Sequence, residues 1–183
     1  MLEKLDDFIK SLSLELRHVF AYGTGCLKDW DSLVINKRKP YTYRAFKQYG
    51  DYRICLHKFD PCSDLEAFGH PHPWPGAFII LEGSYEQRIG YADSRNGIRH
   101  DIYREVLTAG SKYEIVNPLT FHSVIPLETT WTMMVNGPPF ENPHEDVVTT
   151  KGKDLQKMTP KEFEQHMYQF ANLICRYEDC ILL

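Results

Sequence analysis

Residues 68–90 read FGHPHPWPGAFIILEGSYEQRIG. A proline-rich segment containing His70 and His72 directly precedes the run AFIILEG, whose apolar residues are typical of a buried β-strand. On an extended backbone, side chains two residues apart point the same way, so both imidazoles can meet one ion. Pro71, Pro73 and Pro75 fix φ and reduce the entropy lost in holding that geometry. The stretch therefore predicts a strand preceded by a rigid pair of candidate metal ligands.

The β-like pattern continues on both sides of this stretch. Short runs divided by turn residues read YRICLHKF, SYEQRIGYA, DIYREVL, KYEIV, FHSVI and TWTMMV, and the RNG at residues 95–97 is typical of a hairpin turn. This spacing indicates a sandwich or barrel with its core at about residues 41–140. Apolar residues at helical spacing predict flanking helices at about residues 2–20 and 160–176. No linker-like segment interrupts the chain, so residues 1–183 are predicted to form a single domain.

Charge and composition exclude several classes of partner. The net charge is -4 with neutral histidines, whereas proteins that bind nucleic acids carry a basic surface that neutralises phosphates. The first residues, MLEKLDDFIK, lack the apolar core of a signal peptide, and no apolar run is long enough to span a bilayer. The five cysteines form no CxxC pair, which indicates free thiols. We therefore expect a cytoplasmic protein that binds neither nucleic acid nor membrane.

A third candidate ligand lies on a later predicted strand. His122 occurs in NPLTFHSVIPL, after a turn that contains proline. Three neutral imidazoles suit a divalent transition metal and leave positions open for water, oxygen or substrate. The alternative is that the three histidines line a cavity or the surface without any metal. His57 and His166 have no partner at a suggestive spacing, and we leave them out of the site.

These motifs resemble those of the cupin superfamily. The first cupin motif contains a Gly, then His-x-His, usually a Glu and a later Gly, and the second motif supplies another His. Matching residues occur in the same order within or near residues 53–139: Gly69, His70, His72, Gly83, Gly110, Pro118 and His122. The resemblance implies a mainly β fold, the double-stranded β-helix or RmlC-like jelly-roll barrel, with the N- and C-terminal helices packed outside it. It also implies that the three histidines bind metal.

One departure from the cupin pattern narrows the resemblance. Gly76 or Ala77 stands where many cupins have the Glu ligand. The remaining three-His set is similar to that of the cysteine dioxygenases, cupins that bind Fe(II) through three histidines. Arg44, in YTYRAF, lies in about the place of the Arg that holds the substrate carboxylate in those enzymes. The segment VNGPPF at residues 135–140 also looks like the Pro-Pro-Phe segment that follows their last catalytic strand.

The proton relay of those enzymes is missing from this chain. They carry Ser, His and Tyr at alternate positions just before the Pro-Pro-Phe segment, and the corresponding residues here are Thr132, Met134 and Asn136. Placement of substrate and oxygen contributes much of the rate of such a reaction. Thiol oxidation is therefore a hypothesis that rests on the resemblance alone, because the residues of the relay are absent.

A second resemblance is closer in sequence. The segments HPHPWP, ILEGSYEQ and TWTMMVNGPP are similar to those of small uncharacterised cupin-like proteins of bacteria and phages that carry a His-Pro-Trp motif. That likeness draws attention to Tyr85 and Glu86, directly after the LEG turn. Glu86 could replace the lost ligand or act as a general base, or it could be the outward member of an alternating strand. Arg44, Tyr85 and Glu86 are our candidate substrate-binding residues.

Three hypotheses for the function follow. The first is a metal-dependent oxidoreductase of the cysteine-dioxygenase type, with Fe(II) as the metal that the resemblance implies. The second is a non-catalytic module that binds or senses a small ligand, and the third is a metal-free sugar isomerase or epimerase in which His72 and Tyr85 act as base and acid. All three bind a small molecule, and the sequence leaves open whether the chain is an enzyme. Such barrels commonly associate in pairs through an exposed sheet face, so a homodimer is an open alternative to a monomer.

Overall fold

The computed structural model describes residues 1–23, 25, 27–92, 99–141 and 155–181. Within these ranges the elements follow in the order α1 (Leu2–Tyr22), β1 (Asp31–Ile35), β2 (Thr42–Tyr49), β3 (Tyr52–Phe59), β4 (His70–Pro71), β5 (Gly76–Glu82), β6 (Ser84–Ala92), β7 (Arg99–Thr108), β8 (Lys112–Ile115), β9 (Thr120–Pro126), β10 (Thr130–Asn136) and α2 (Pro160–Ile181). The predicted strands are present, and the helices end at residues 22 and 181 rather than 20 and 176. The predicted hairpin turn at residues 95–97 lies outside the described residues, although β6 and β7 on either side of it pair antiparallel.

The order of the strands defines the architecture. The larger sheet has the order β1-β2-β3-β10-β5-β8, and the smaller sheet has the order β4-β9-β6-β7. Within the series β3 to β10, the first strand pairs with the last and the second pairs with the second to last. This nested antiparallel pairing across two four-stranded halves is that of a jelly roll built from two Greek keys. The predicted mainly β jelly-roll barrel with a helix at each end is therefore confirmed.

Burial of β5 on both faces explains its continuous apolar run. On the outer face, Ile79 belongs to one core cluster with the apolar stripes of both helices. On the inner face, Ile80 packs with Tyr85 and Val124 of the smaller sheet. A strand covered on both sides loses the alternation of apolar and polar residues. The helices thus cover the outside of the larger sheet, and its inner face lines the barrel.

The helix boundaries follow from local chemistry. At the start of α2, the backbone N–H of Thr159 donates to the Glu162 carboxylate (2.8 Å) and the backbone N–H of Glu162 donates to Thr159 Oγ1 (3.3 Å). This is a capping box, which satisfies backbone donors that a helix N-terminus leaves unpaired. Pro160 occupies the first helical position, where its missing N–H costs nothing. None of the described helices combines the length and apolar character needed to cross a bilayer.

The turn between β5 and β6 requires a glycine. Gly83 has φ +84°, a conformation that other residues adopt only with strain. A Cβ at this position would also lie 2.5 Å from the Thr129 carbonyl oxygen. The close approach allows β6 to leave the larger sheet for the smaller one directly after β5, and β6 carries residues that border the cavity.

Candidate metal centre and cavity

Three imidazoles come together at one wall of the barrel interior. The ligand atoms of His70, His72 and His122 all lie within 4.8 Å of one another. The Nε2 atoms of His72 and His122 are 2.8 Å apart, close to the ~3 Å that separates two nitrogens bound at right angles about 2.0–2.1 Å from one ion. Imidazoles suit Zn, Cu, Fe and Ni rather than Mg or Ca. The group could therefore hold a divalent transition-metal ion.

The local structure holds these imidazoles in place. β4 pairs with β9 so that His70 lies directly opposite His122. His72 follows at the alternate position, on the same side as His70, as the spacing predicts. The segment after β4 is tied to residues 137–140, because the carbonyls of Pro73 and Pro75 accept backbone hydrogen bonds from Phe140 and Gly137 (2.9 Å each). The Pro-Pro-Phe segment thus supports the loop that carries His72.

The surroundings favour the neutral, ligating form of the histidines. Burial lowers the pKa of His72 well below its ordinary value, and the neighbouring imidazole of His70 and the charge of Arg44 lower it further. The pKa of His122 is likewise lowered by burial first and then by His70 and His72. A metal competes with protons for imidazole lone pairs, so depressed pKa values keep this donor set available.

A buried amide stands behind His122. The Gln87 side chain is fully buried, and its Nε2 lies 3.5 Å from His122 Nδ1. Its Oε1 is buried without a hydrogen-bond partner among the described residues. A half-turn of the carboxamide, which exchanges O and N, would let Oε1 accept from Nδ1–H. That tautomer leaves His122 Nε2, which lies 2.8 Å from His72 Nε2, unprotonated and free to bind an ion.

A cavity of about 120 Å³ adjoins the three imidazoles. Pockets for drug-sized ligands measure roughly 300–1,000 Å³, so this cavity suits a much smaller molecule. Apolar side chains form most of its wall: Ile35, Pro40, Phe59, Phe68, Phe78, Val124 and Met134. The remaining polar side chains are Thr42, Arg44, His57, Tyr85, Tyr113 and Thr132. No carboxylate lines the cavity in the part of the chain that the structure describes.

Arg44 lies on the larger sheet and lines the same cavity as the three imidazoles. Its side chain is half-buried, and its Nε–H donates to His57 Nε2 at 2.7 Å. Among the described residues it forms no ion pair with a carboxylate. A half-buried cation without a counter-ion is costly unless a ligand supplies the negative charge. The structure thus brings Arg44 together with the candidate ligands.

Tyr85 also reaches the cavity. It is almost fully buried, and its hydroxyl donates to the hydroxyl of Tyr113 at 2.7 Å. Burial raises the pKa of Tyr85 well above its ordinary value, and Tyr113 raises it further. Both phenols are therefore neutral hydrogen-bonding groups at one end of a largely apolar wall.

Glu86 does not join this group. It points to the opposite face of β6 from Tyr85 and Gln87, as alternation in a strand requires. Its carboxylate accepts from Arg88 Nε (2.7 Å) and lies 3.8 Å from Arg104 Nη1. The outward interpretation of Glu86, which the sequence left open, is the one that these contacts favour.

Three residues that the sequence interpretation did not select also border the cavity. His57, which we left out of the site, contacts Arg44, and Tyr113 contacts Tyr85. Thr132, which corresponds to a relay residue of the cysteine dioxygenases, lines the cavity beside His57. The alternation of side chains along β3 could have identified His57. Its neighbour Leu56 faces the helices, so His57 must face the inside of the barrel. The pairing of β2 with β3, which places His57 opposite Arg44, has a signal that we did not use, the two-residue turn Gly50-Asp51 between Tyr49 and Tyr52.

The chain is similar to several solved structures at low sequence identity. No protein-family model matches the sequence, and no curated protein matches it. The structure is similar to that of HppE in its Fe(II) form with the alternative substrate (S)-1-HPP, with a TM-score of 0.45, 12% identity, and coverage of 59% of this chain and 56% of that one. The chain thus spans little more than half of the length of HppE.

Two further solved structures are similar to this chain at comparable identity and coverage of it. An RmlC-like cupin from Shewanella frigidimarina gives a TM-score of 0.42 at 15% identity, covering 60% of this chain and 86% of that one. A conserved protein of unknown function from Streptococcus pyogenes gives 0.41 at 16% identity, covering 56% and 78%. Such values extend no activity to this chain. Its jelly roll follows from its own strand order, which agrees with the cupin resemblance of its motifs, and the resemblance to cysteine dioxygenases stays a prediction.

Proposed function

We propose that this protein is a metal-dependent oxidoreductase that uses Fe(II), held by His70, His72 and His122, to oxidise a small anionic molecule with O2. One observation carries the proposal. Arg44, a half-buried cation with no carboxylate partner among the described residues, lines the same small cavity as the three imidazoles. An ion bound by three imidazoles retains open positions. A substrate can therefore be held at two points, by its charge and by its reacting group.

The residues supply positioning and exclusion of water. Arg44 offers planar N–H donors that match a carboxylate, and such charge-assisted bonds are strong in a largely apolar cavity. Phe59, Phe78 and Met134 limit the room for water around the bound molecule. The ferrous ion, when bound, supplies the redox chemistry that allows O2 to react. Orientation of both reactants beside it is the contribution of this chain.

A thiol carboxylate is the substrate class that fits best. Conversion of a thiolate and O2 to a sulfinate balances without any further reductant, because sulfur loses four electrons and both oxygen atoms end in the product. The cavity offers Arg44 for the carboxylate and the three-His site for the thiolate. Among the described residues, no carboxylate side chain that would repel such an anion lines the cavity.

The two other hypotheses receive less support. In a metal-free isomerase Tyr85 would act as an acid, yet its proton is donated to Tyr113 and its pKa is raised. A non-catalytic binding module would use the same cavity and the same Arg44. It differs from the oxidoreductase by ligand binding without turnover, which is accompanied by thermal stabilisation.

The test has two stages. Protein purified without a histidine tag is analysed for metal beside a His72→Ala variant, and we expect near-stoichiometric metal that is lost in the variant. Oxygen uptake by the Fe(II)-loaded protein is then measured with small thiol carboxylates and with the matching amides. We expect uptake with the acids, and a large loss of it in Arg44→Gln with metal content unchanged. Metal binding without any oxygen uptake would favour the binding module, and metal in neither protein would exclude the metal site.

A further inference from the structure

His57, Arg44 and Thr132 form one row across the larger sheet. Arg44 on β2 lies directly opposite His57 on β3, and His57 lies directly opposite Thr132 on β10. Residues at paired positions project to the same face of a sheet, and all three line the cavity. Arg44 Nε lies 2.7 Å from His57 Nε2, and His57 Nδ1 lies 3.5 Å from Thr132 Oγ1.

The contact with Arg44 defines the protonation state of His57. A guanidinium can only donate, because arginine stays charged in proteins. His57 Nε2 must therefore be the acceptor, and the ring must be neutral with its proton on Nδ1, facing Thr132. Burial lowers the pKa of His57 well below its ordinary value, and its charged or titratable neighbours Arg44, His166 and His72 lower it further.

This arrangement excludes two other roles for His57. Its Nε2 lone pair is occupied by the Arg44 N–H, so it is available neither to bind a metal nor to accept a substrate proton. Its Nδ1 faces a threonine hydroxyl on the adjacent strand. What remains is the effect on Arg44, whose terminal nitrogens have no hydrogen-bond partner among the described residues.

We propose that His57 is a positioning residue that holds Arg44 from behind, so that the terminal nitrogens of the guanidinium face the anionic group of the substrate. Arginine loses much rotamer freedom when it is fixed in one geometry. A neutral imidazole supplies an acceptor for Nε without introducing a negative charge, whereas a carboxylate at position 57 would neutralise the cation and compete with the substrate. This inference rests on the proposed function for the identity of the ligand, but the state of His57 can be tested without it.

The first experiment reads that state directly. Long-range proton–nitrogen correlation spectra of the histidine side chains, assigned with the variants, are recorded on the metal-free protein at neutral pH. We expect a neutral His57 with its proton on Nδ1, and a protected Arg44 Nε–H signal. The signal is expected to persist in His57→Gln, whose amide oxygen can accept, and to exchange rapidly in His57→Phe, which retains the ring beside Phe59. A proton on His57 Nε2, or an unchanged Arg44 signal in His57→Phe, would overturn the proposal.

The second experiment measures how His57 affects the affinity of the cavity for an anionic ligand. Co(II)-loaded protein is titrated without oxygen with 3-mercaptopropionate and with 3-mercaptopropionamide, followed by visible absorption. We expect the acid to bind about 10- to 100-fold more tightly than the amide in the wild type and in His57→Gln. In His57→Phe this preference should be several-fold smaller, because Arg44 keeps its charge but is no longer held in place. Retention of the full preference in His57→Phe would refute the positioning role, as would no preference in the wild type.

The two proposals fail differently. No Co(II) binding and no oxygen uptake would remove the proposed function, while the spectra of the metal-free protein would still decide whether His57 holds Arg44. Normal oxygen uptake with an unchanged acid preference in His57→Phe would remove the positioning role and leave the proposed function standing.

Discussion

Acidification should destabilise this protein through a histidine that lies outside the site. His166, on α2, is buried between the rings of Trp131 and Phe170, with centroid distances of 5.4 and 4.9 Å. Its Nε2 lies 3.1 Å from the carbonyl oxygen of Leu56 on β3, which only the protonated nitrogen can bond. Burial lowers the pKa of His166 from 6.5 to about 4, an effect that the Leu56 carbonyl opposes and Lys58 adds to. The side chain therefore fastens α2 to the sheet in its neutral form.

The sign and size of the effect follow from linkage. The unfolded chain binds this proton near the ordinary pKa of 6.5, whereas the folded protein binds it only near 4. Above the unfolded value neither state is protonated and the contribution is complete. As the pH falls from 6.5 towards 4, the unfolded state alone gains a proton, so the free energy of unfolding decreases. Each pKa unit corresponds to about 1.4 kcal/mol, so the full effect is about 3 kcal/mol and the interval from about pH 7 to pH 5 accounts for about 2 kcal/mol.

Urea unfolding in the presence of a chelator measures this contribution. The free energy of unfolding of the wild type, His166→Gln and His18→Gln is determined at about pH 7 and pH 5. The other buried imidazoles act in all three proteins, so the wild type and His18→Gln, which lacks an exposed imidazole on α1, should lose about 2 kcal/mol more than His166→Gln. Equal losses in the wild type and His166→Gln would refute the reasoning.

Two further pairs of variants test the structure. Gln87→Leu should weaken metal binding about 10- to 100-fold, because leucine cannot orient His122, whereas Glu86→Gln on the opposite face of β6 should change it less than about threefold. Equilibrium dialysis against buffered metal compares them, and a larger effect at Glu86 would contradict the assigned faces. Gly83→Ala should cost more than about 3 kcal/mol in urea unfolding and Gly110→Ala about 1 kcal/mol, since both have positive φ but only at Gly83 would a Cβ meet a backbone oxygen. Equal losses would show that the chain relaxes around the alanine.

The fold and the candidate ligands were accessible to sequence analysis for physical reasons. The apolar run of β5 and the alternating runs around it report burial directly, because a strand covered on both faces must be apolar throughout. His70 and His72 were predicted together because alternate residues of an extended segment share a side. The prediction needed no knowledge of strand partners. His122 required the motif order, since nothing in the local sequence says that β9 lies beside β4 with these residues opposite each other.

The roles of Gln87 and His57 could not be predicted from spacing along one strand, because they depend on which strands are neighbours. Gln87 reads as an ordinary polar residue of an alternating strand, and only the pairing of β6 with β9 places its amide behind His122. His57 was left out because it has no partner at a suggestive spacing in the sequence. Its partner is Arg44, thirteen positions earlier. Register between strands, rather than spacing along one strand, decides both contacts, and hydrophobic periodicity does not encode the register of pairs on a polar patch.

The position of Arg44 also explains why the jelly roll by itself does not identify the function. The eight strands of the jelly roll are β3 to β10, and these strands together with the loop after β4 provide the three imidazoles, His57 and Thr132. Arg44 belongs to β2, which extends the larger sheet beyond β3. A barrel without this strand would retain the candidate ligands but would lose the Arg44 cation. His57 Nε2 would then lose the N–H that donates to it. Because chemistry depends on such added groups rather than on the fold, we expect the proposed preference for an anionic substrate to depend on this extra strand.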